Sequence, residues 1–343
     1  MRFVIIAMVA AVGVGCTEDA KRANFDPPPS DATPGESVEV TTDPHTTTDE
    51  TDTDPDYIGF PWVEFDCAAG QPDPPFDAWF LEYTDSSEDI SFSLDGYLLM
   101  NKNNDVARYS YNGSWGILSG GFNSPTGLAT LPDGDLAIAD RYAGRVTRWH
   151  AGTGALEVVA GNVAYPNGIE VAPDGSLYVT DSNSGSVWWV EPDTGDSILI
   201  TDQIYGADGI SFNPDYNLLY VGSIHTGDIH TIEVLGPGAD HGPPTPWIAG
   251  LDRPWGTADG IQVDRCGYVY VADLVDAIWR VDPVTRDAVK VIDAPRGLYL
   301  PAMRFGSGVG EWDAMHLYVS TYEEVIEVAV GVPNKARWPA VWP

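Results

Sequence analysis

Six residues stand at the same place in six copies of one pattern: Glu88, Thr126, Asn167, Asp208, Asp259 and Pro301. Three are carboxylic acids, one offers an amide oxygen and one a hydroxyl, and no nitrogen or sulfur ligand is among them. Carboxylates brought together repel one another unless protons or a cation compensate them. Hard oxygen donors suit calcium, whereas zinc prefers His or Cys, so one Ca2+ among the carboxylates, amide oxygen and hydroxyl of this ring, with water completing its shell, is the expected occupant. A local reading competes with this one. Asn-Gly and Asp-Gly form turns, and Asn167, Asp208 and Asp259 each precede a glycine. Turn chemistry does not account for Glu88, a poor turn residue followed by Asp89.

The elements that must position these residues follow from the repeat itself. Asn167-Gly168-Ile169-Glu170-Val171 leads through Pro173-Asp174-Gly175 to Leu177-Tyr178-Val179, and the other copies carry the same order of strand, turn and strand. A further apolar segment follows, such as Val187-Trp188-Trp189-Val190 or Ala277-Ile278-Trp279-Arg280-Val281. The leading positions advance by 38, 41, 41, 51 and 42 residues. Strand hairpins repeating near forty residues are the mark of a β-propeller, whose blades bury their faces against one another. An all-β, six-bladed propeller is expected. A single antiparallel sandwich would not require the same turn at six regular intervals. Innermost strands line the central channel, so the leading residues should meet at one mouth of it.

Composition agrees and excludes other classes. The 343 residues carry 51 acidic against 17 basic side chains, a net charge of −34. Proteins that bind nucleic acid or an anionic bilayer surface neutralise phosphates with Lys and Arg, so neither is an expected partner. The 36 glycines and 27 prolines punctuate the chain too often for a helical bundle.

The N-terminus reads as a targeting segment. Arg2 precedes an uncharged run from Phe3 to Gly15, the length of a signal-peptide core and too short to span a bilayer. Gly13-Val14-Gly15-Cys16 resembles the bacterial lipobox, with Gly13 where Leu is usual. The resemblance implies lipidation of Cys16 and, with Thr17 after it, an outer-membrane lipoprotein; ordinary signal-peptidase cleavage would leave Cys16 unmodified. The expected domains are a signal peptide at 1–15, a disordered Thr/Asp/Pro-rich tether at 16–57 and the propeller at 58–343, because the middle segment is too polar to offset its ordering entropy. Cys67 and Cys266 remain, and in an exported protein they are expected to pair, two buried thiols being the alternative.

Over about residues 85 to 330 the six copies resemble the calcium-dependent six-bladed propellers of the senescence-marker-protein/gluconolactonase and paraoxonase group. Ser87-Glu88-Asp89-Ile90 is similar to the first-blade motif of paraoxonases and Pro166-Asn167-Gly168-Ile169 to that of gluconolactonases. The resemblance implies a channel calcium on Glu88, Asn167, Asp208 and Asp259, and a calcium-dependent hydrolase of lactones or related esters in which Asp259, with Asp208 beside it, activates water or attacks directly. Thr126, Tyr205, His225 and Trp255 are candidates for the substrate pocket by their closeness to ring positions. Two departures stand out. Pro125-Thr126-Gly127 lies where paraoxonases carry Pro-His-Gly, and Gly168 replaces an acidic residue of their second calcium site. Single repeats also resemble NHL-type propellers, many of which only bind partners, so a non-catalytic module for a protein or glycan is the alternative. The expected partners are a small lactone or ester and, through a lipid anchor only, a membrane; the expected state is a monomer.

Overall fold

The computed structural model describes residues 57–339 apart from 59, 62, 86, 237, 239, 250–256, 276, 295–297 and 336–337. The expected signal peptide, Cys16 and the expected tether up to residue 56 lie outside the described residues. Within them, six four-stranded antiparallel sheets follow one another along the chain. The first strand of each sheet packs against the first strand of the next, and Met303–Phe305 of the sixth packs against Ile90–Phe92 of the first, which closes a ring of six blades.

Burial falls outward through each blade, as the apolar patterning requires. Pro125–Thr130 and Leu136–Asp140, the two inner strands of blade two, are buried throughout, because each is covered on both faces by neighbouring blades. The outermost strand of blade one, Trp115–Gly120, is half-buried to exposed. The turns between first and second strands place Gly134 and Gly175 at φ +90° and +86°, a backbone region that side chains oppose and glycine accepts.

The ring is closed by chain ends that are far apart in sequence. Ala78–Leu81, ahead of blade one, pairs with Val325–Val328 and becomes the outermost strand of blade six. On the side of the ring away from the leading residues, a disulfide joins Cys67 to Cys266 with their Cα atoms 5.5 Å apart. Asp264 organises that corner by accepting the backbone N–H groups of Cys266 (2.8 Å) and Tyr268 (3.0 Å).

A break in strand pairing recurs where the leading residues stand. In blades two, three and four the ladder between first and second strands skips Thr126-Gly127, Asn167-Gly168 and Asp208-Gly209 before resuming at Leu128, Ile169 and Ile210. A bulge of this kind re-aims side chains at the rim of a sheet. The glycines are not there for turn formation, since none of Gly127, Gly168, Gly209 and Gly260 has positive φ. They are there because the next blade comes so close. A Cβ on Gly127 would stand 2.0 Å from the carbonyl oxygen of Asn167, and one on Gly168 2.5 Å from that of Asp208.

Candidate active site at the channel mouth

Glu88, Asn167, Asp208 and Asp259, the middle two aimed by the bulges of blades three and four, stand at one end of the channel, where they line a cavity of about 30 Å3 together with Gly127, Gly168, Gly209 and Gly260. Asn167, Asp208 and Asp259 are buried, and the Glu88 side chain is 26 % exposed. Neighbouring strands hold them in place. The Thr180 hydroxyl receives the N–H of Gly168 (2.8 Å) and donates to the carbonyl of Asp208 (2.6 Å), which ties blade three to blade four. Asp259 donates its N–H to the carbonyl of Ala272 at 3.0 Å.

The electrostatics are those of crowded carboxylates. The buried side chains of Asp208 and Asp259 adjoin at the mouth. Burial pushes both above the usual carboxylate range. The charge of Glu88 pushes both further, and that of Asp208 adds to the rise at Asp259. One arginine answers this charge. Arg141 Nη2 donates to Glu88 Oε1 at 2.8 Å and to Asn167 Oδ1 at 2.9 Å. Glu88 Oε2 accepts from the Tyr322 hydroxyl at 2.7 Å.

The expected pocket residues divide. Tyr205 and His225 pair at the rim with ring centroids 4.6 Å apart, and Tyr205 is 69 % exposed. Trp255 lies outside the described residues. Thr126 is buried and its hydroxyl donates to the carbonyl of Pro166 at 3.1 Å; Gly127 lines the cavity, whereas Thr126, Tyr205 and His225 do not. An unpaired carbonyl between two packed blades is costly, and the Thr126 hydroxyl satisfies it.

Arg141 and Tyr322 went unrecognised in the sequence. Both lie on loops between second and third strands, which rise on the same side of the ring as the leading residues. The signal was available in blade two. Counted from the pairing of first and second strands, the positions equivalent to Arg141 are Asn103, Ser182, Ile224, Leu274 and Tyr322, so Arg141 is the one basic residue among them and Tyr322 is its counterpart in blade six.

Calcium fits this donor set by its chemistry. Oxygens alone converge, and the two adjoining buried carboxyls carry a repulsion that a divalent cation relieves. Among the described residues no group of three or more His, Cys, Asp or Glu is arranged to hold a metal ion. In the geometry present, Glu88 and Asn167 are committed to Arg141.

Residues 183–323 match the SMP-30/Gluconolactonase/LRE-like region, and residues 122–149 and 164–190 match the NHL repeat. A gluconolactonase from Xanthomonas campestris is similar in structure with a TM-score of 0.62 at 17 % identity, over 81 % of this chain and 97 % of its own. The calcium-binding protein regucalcin from Agrobacterium tumefaciens is similar with a TM-score of 0.63 at 17 % identity, over 78 % and 98 %. A luciferin-regenerating enzyme gives 0.62 at 14 %, over 76 % and 97 %. At such identities the likeness shows the fold. None of the curated proteins matches the chain in sequence.

Proposed function

We propose, for a chain that carries an SMP-30/gluconolactonase/LRE-like region on a six-bladed propeller, that the channel mouth hydrolyses lactones or related esters with calcium as cofactor. The observation that carries this reading is the meeting of Glu88, Asn167, Asp208 and Asp259, drawn from four blades, at one small cavity. These four residues would hold the ion, which when bound polarises a carbonyl oxygen and stabilises the charge that develops there. Asp259, in its ionised form, takes a proton from the attacking water or attacks the acyl carbon itself. Asp208, from the neighbouring blade, would stand beside Asp259 as the second buried carboxylate of the set. Tyr322 fixes Glu88 from the opposite side, and Tyr205 with His225 sets the shape that can enter.

The test is turnover of a panel of lactones and aryl esters by wild type and Asp259→Asn in the presence of calcium. The expected result is activity in the wild type, lost on chelation and in the variant, with the fold retained. Absence of turnover by the wild type across the panel would favour the second reading, a non-catalytic propeller that binds a protein or glycan. That reading draws support from the NHL repeats and from the exposed rim aromatics Tyr142, Tyr205 and Tyr299. Under either reading, lipidation at Cys16 would place the propeller on the outer membrane at the end of an acidic tether. Labelling with a palmitate analogue, lost in Cys16→Ser, tests the anchor.

A further inference from the structure

We propose that Arg141 is a tethered internal cation that competes with calcium for the ring, an inference that rests on the calcium reading above. One nitrogen, Nη2, stands between blades one and three and takes an oxygen from each, Glu88 Oε1 and Asn167 Oδ1. Those lone pairs are the ones a cation at the ring would need. Coordination through them therefore requires the guanidinium to leave, and the affinity of the ion is lowered by whatever free energy Arg141 gains in staying.

The placement of Arg141 is built. It opens a single 3-10 turn, Arg141–Ala143, closed by Gly144 in the left-handed conformation at φ +64°. Asp140, just before it, is buried and accepts the N–H of Asn123 (2.6 Å) and Nε of Arg145 (2.9 Å), which holds the base of the loop. The guanidinium carbon lies 5.4 Å from the centroid of the Tyr165 ring, within reach of a cation–π contact. The side chain is 16 % exposed, so its hydrogen bonds to Glu88 and Asn167 are sheltered from water. A surface arginine passing the ring would have none of these supports. With Tyr322 on Oε2 and Arg141 on Oε1, both carboxylate oxygens of Glu88 are held by donors from this chain.

The test is calorimetric titration of metal-stripped protein with calcium chloride, on wild type, Arg141→Gln and Arg141→Lys, paired with melting curves in chelator and in saturating calcium. Removing the competitor should tighten calcium binding at least tenfold in Arg141→Gln. The lysine ammonium is a point charge without the planar fork, so Arg141→Lys should fall between the two. In chelator, Arg141→Gln should melt below wild type, because Glu88 and Asn167 lose their partner, and saturating calcium should erase the difference. A merely structural arginine would leave the deficit in place at every calcium concentration. Equal or weaker binding by Arg141→Gln overturns the competition and leaves the calcium reading standing. Absence of binding by all three proteins removes both. Should Arg141→Gln fail to fold, Arg141→Lys decides alone, and wild-type affinity in that variant overturns the proposal.

Discussion

Gly209 and Asp259 belong to adjacent blades, yet a Cβ on Gly209 would stand 1.8 Å from the carbonyl oxygen of Asp259. The glycine after one ring residue is the space into which the backbone of the next ring residue fits. That relationship sets the radius of the ring, and with it the distances between the donor side chains.

Gly209→Ala should therefore be costly. Overpacking typically costs about 1–3 kcal/mol, and a clash against the backbone of Asp259 and Ile261, which cannot swing aside as a side chain can, belongs at the upper end or beyond. Gly152→Ala serves as the control, since a Cβ there meets nothing within 4 Å. The expected outcome in thermal or urea unfolding is a large loss of stability for Gly209→Ala and a change near zero for Gly152→Ala. Equal stabilities would mean that the blades can separate without cost.

Calcium should raise the stability of the folded chain. The residues proposed to hold the ion come from four blades, so a site built by the ring would be lost on unfolding. At a free concentration of roughly 100 times the dissociation constant the gain would be about 2.7 kcal/mol. Melting curves in excess calcium and in chelator measure it, and curves that coincide would refute the site.

The Cys67–Cys266 disulfide closes a loop of 199 residues and ties the segment ahead of blade one to blade five. Removal of a native disulfide typically costs about 2–5 kcal/mol. The double variant Cys67→Ala with Cys266→Ala should lose stability in that range while keeping its calcium affinity, because the bridge lies on the side of the ring opposite the donors. A variant as stable as wild type under non-reducing conditions would show that the blade pairing alone closes the ring.

Asp264 sets a pH dependence of known sign. Burial pushes its carboxyl up to about 7, against an unfolded value near that of an ordinary aspartate. A group whose folded pKa is raised adds stability that is fully present below its unfolded pKa and is lost as pH rises through the folded one. The protein should accordingly weaken between about pH 4 and pH 8. Asp264→Asn keeps an oxygen for the N–H groups of Cys266 and Tyr268 but carries no charge to bury. Relative to wild type, this variant should gain on the order of 3 kcal/mol between pH 4 and pH 8, read by urea midpoints. A difference that does not change with pH would assign the wild-type slope to other groups.

Blade number, blade order and the convergence of the leading positions were legible in the sequence because a propeller repeats its local pattern. Each Pro-Asp-Gly-type turn and each leading Glu, Asn or Asp recurs near every forty residues, so equivalent positions can be aligned without knowing where they lie in space. The pairing of Cys67 with Cys266 followed from there being no other candidates within the propeller. Three features needed the assembled ring. Thr126 turns to the carbonyl of Pro166, which becomes its neighbour only when blade three docks on blade two. The glycines that read as turn formers keep negative or extended φ and exist for a contact with the following blade. Arg141 meets Glu88 across 53 positions of sequence and Asn167 across 26, through a loop whose length and composition carry no repeat. Periodicity marks what every blade does alike, whereas the cation at the centre of this site arises from one blade differing from the rest, and only the closure of the ring decides where its guanidinium comes to lie.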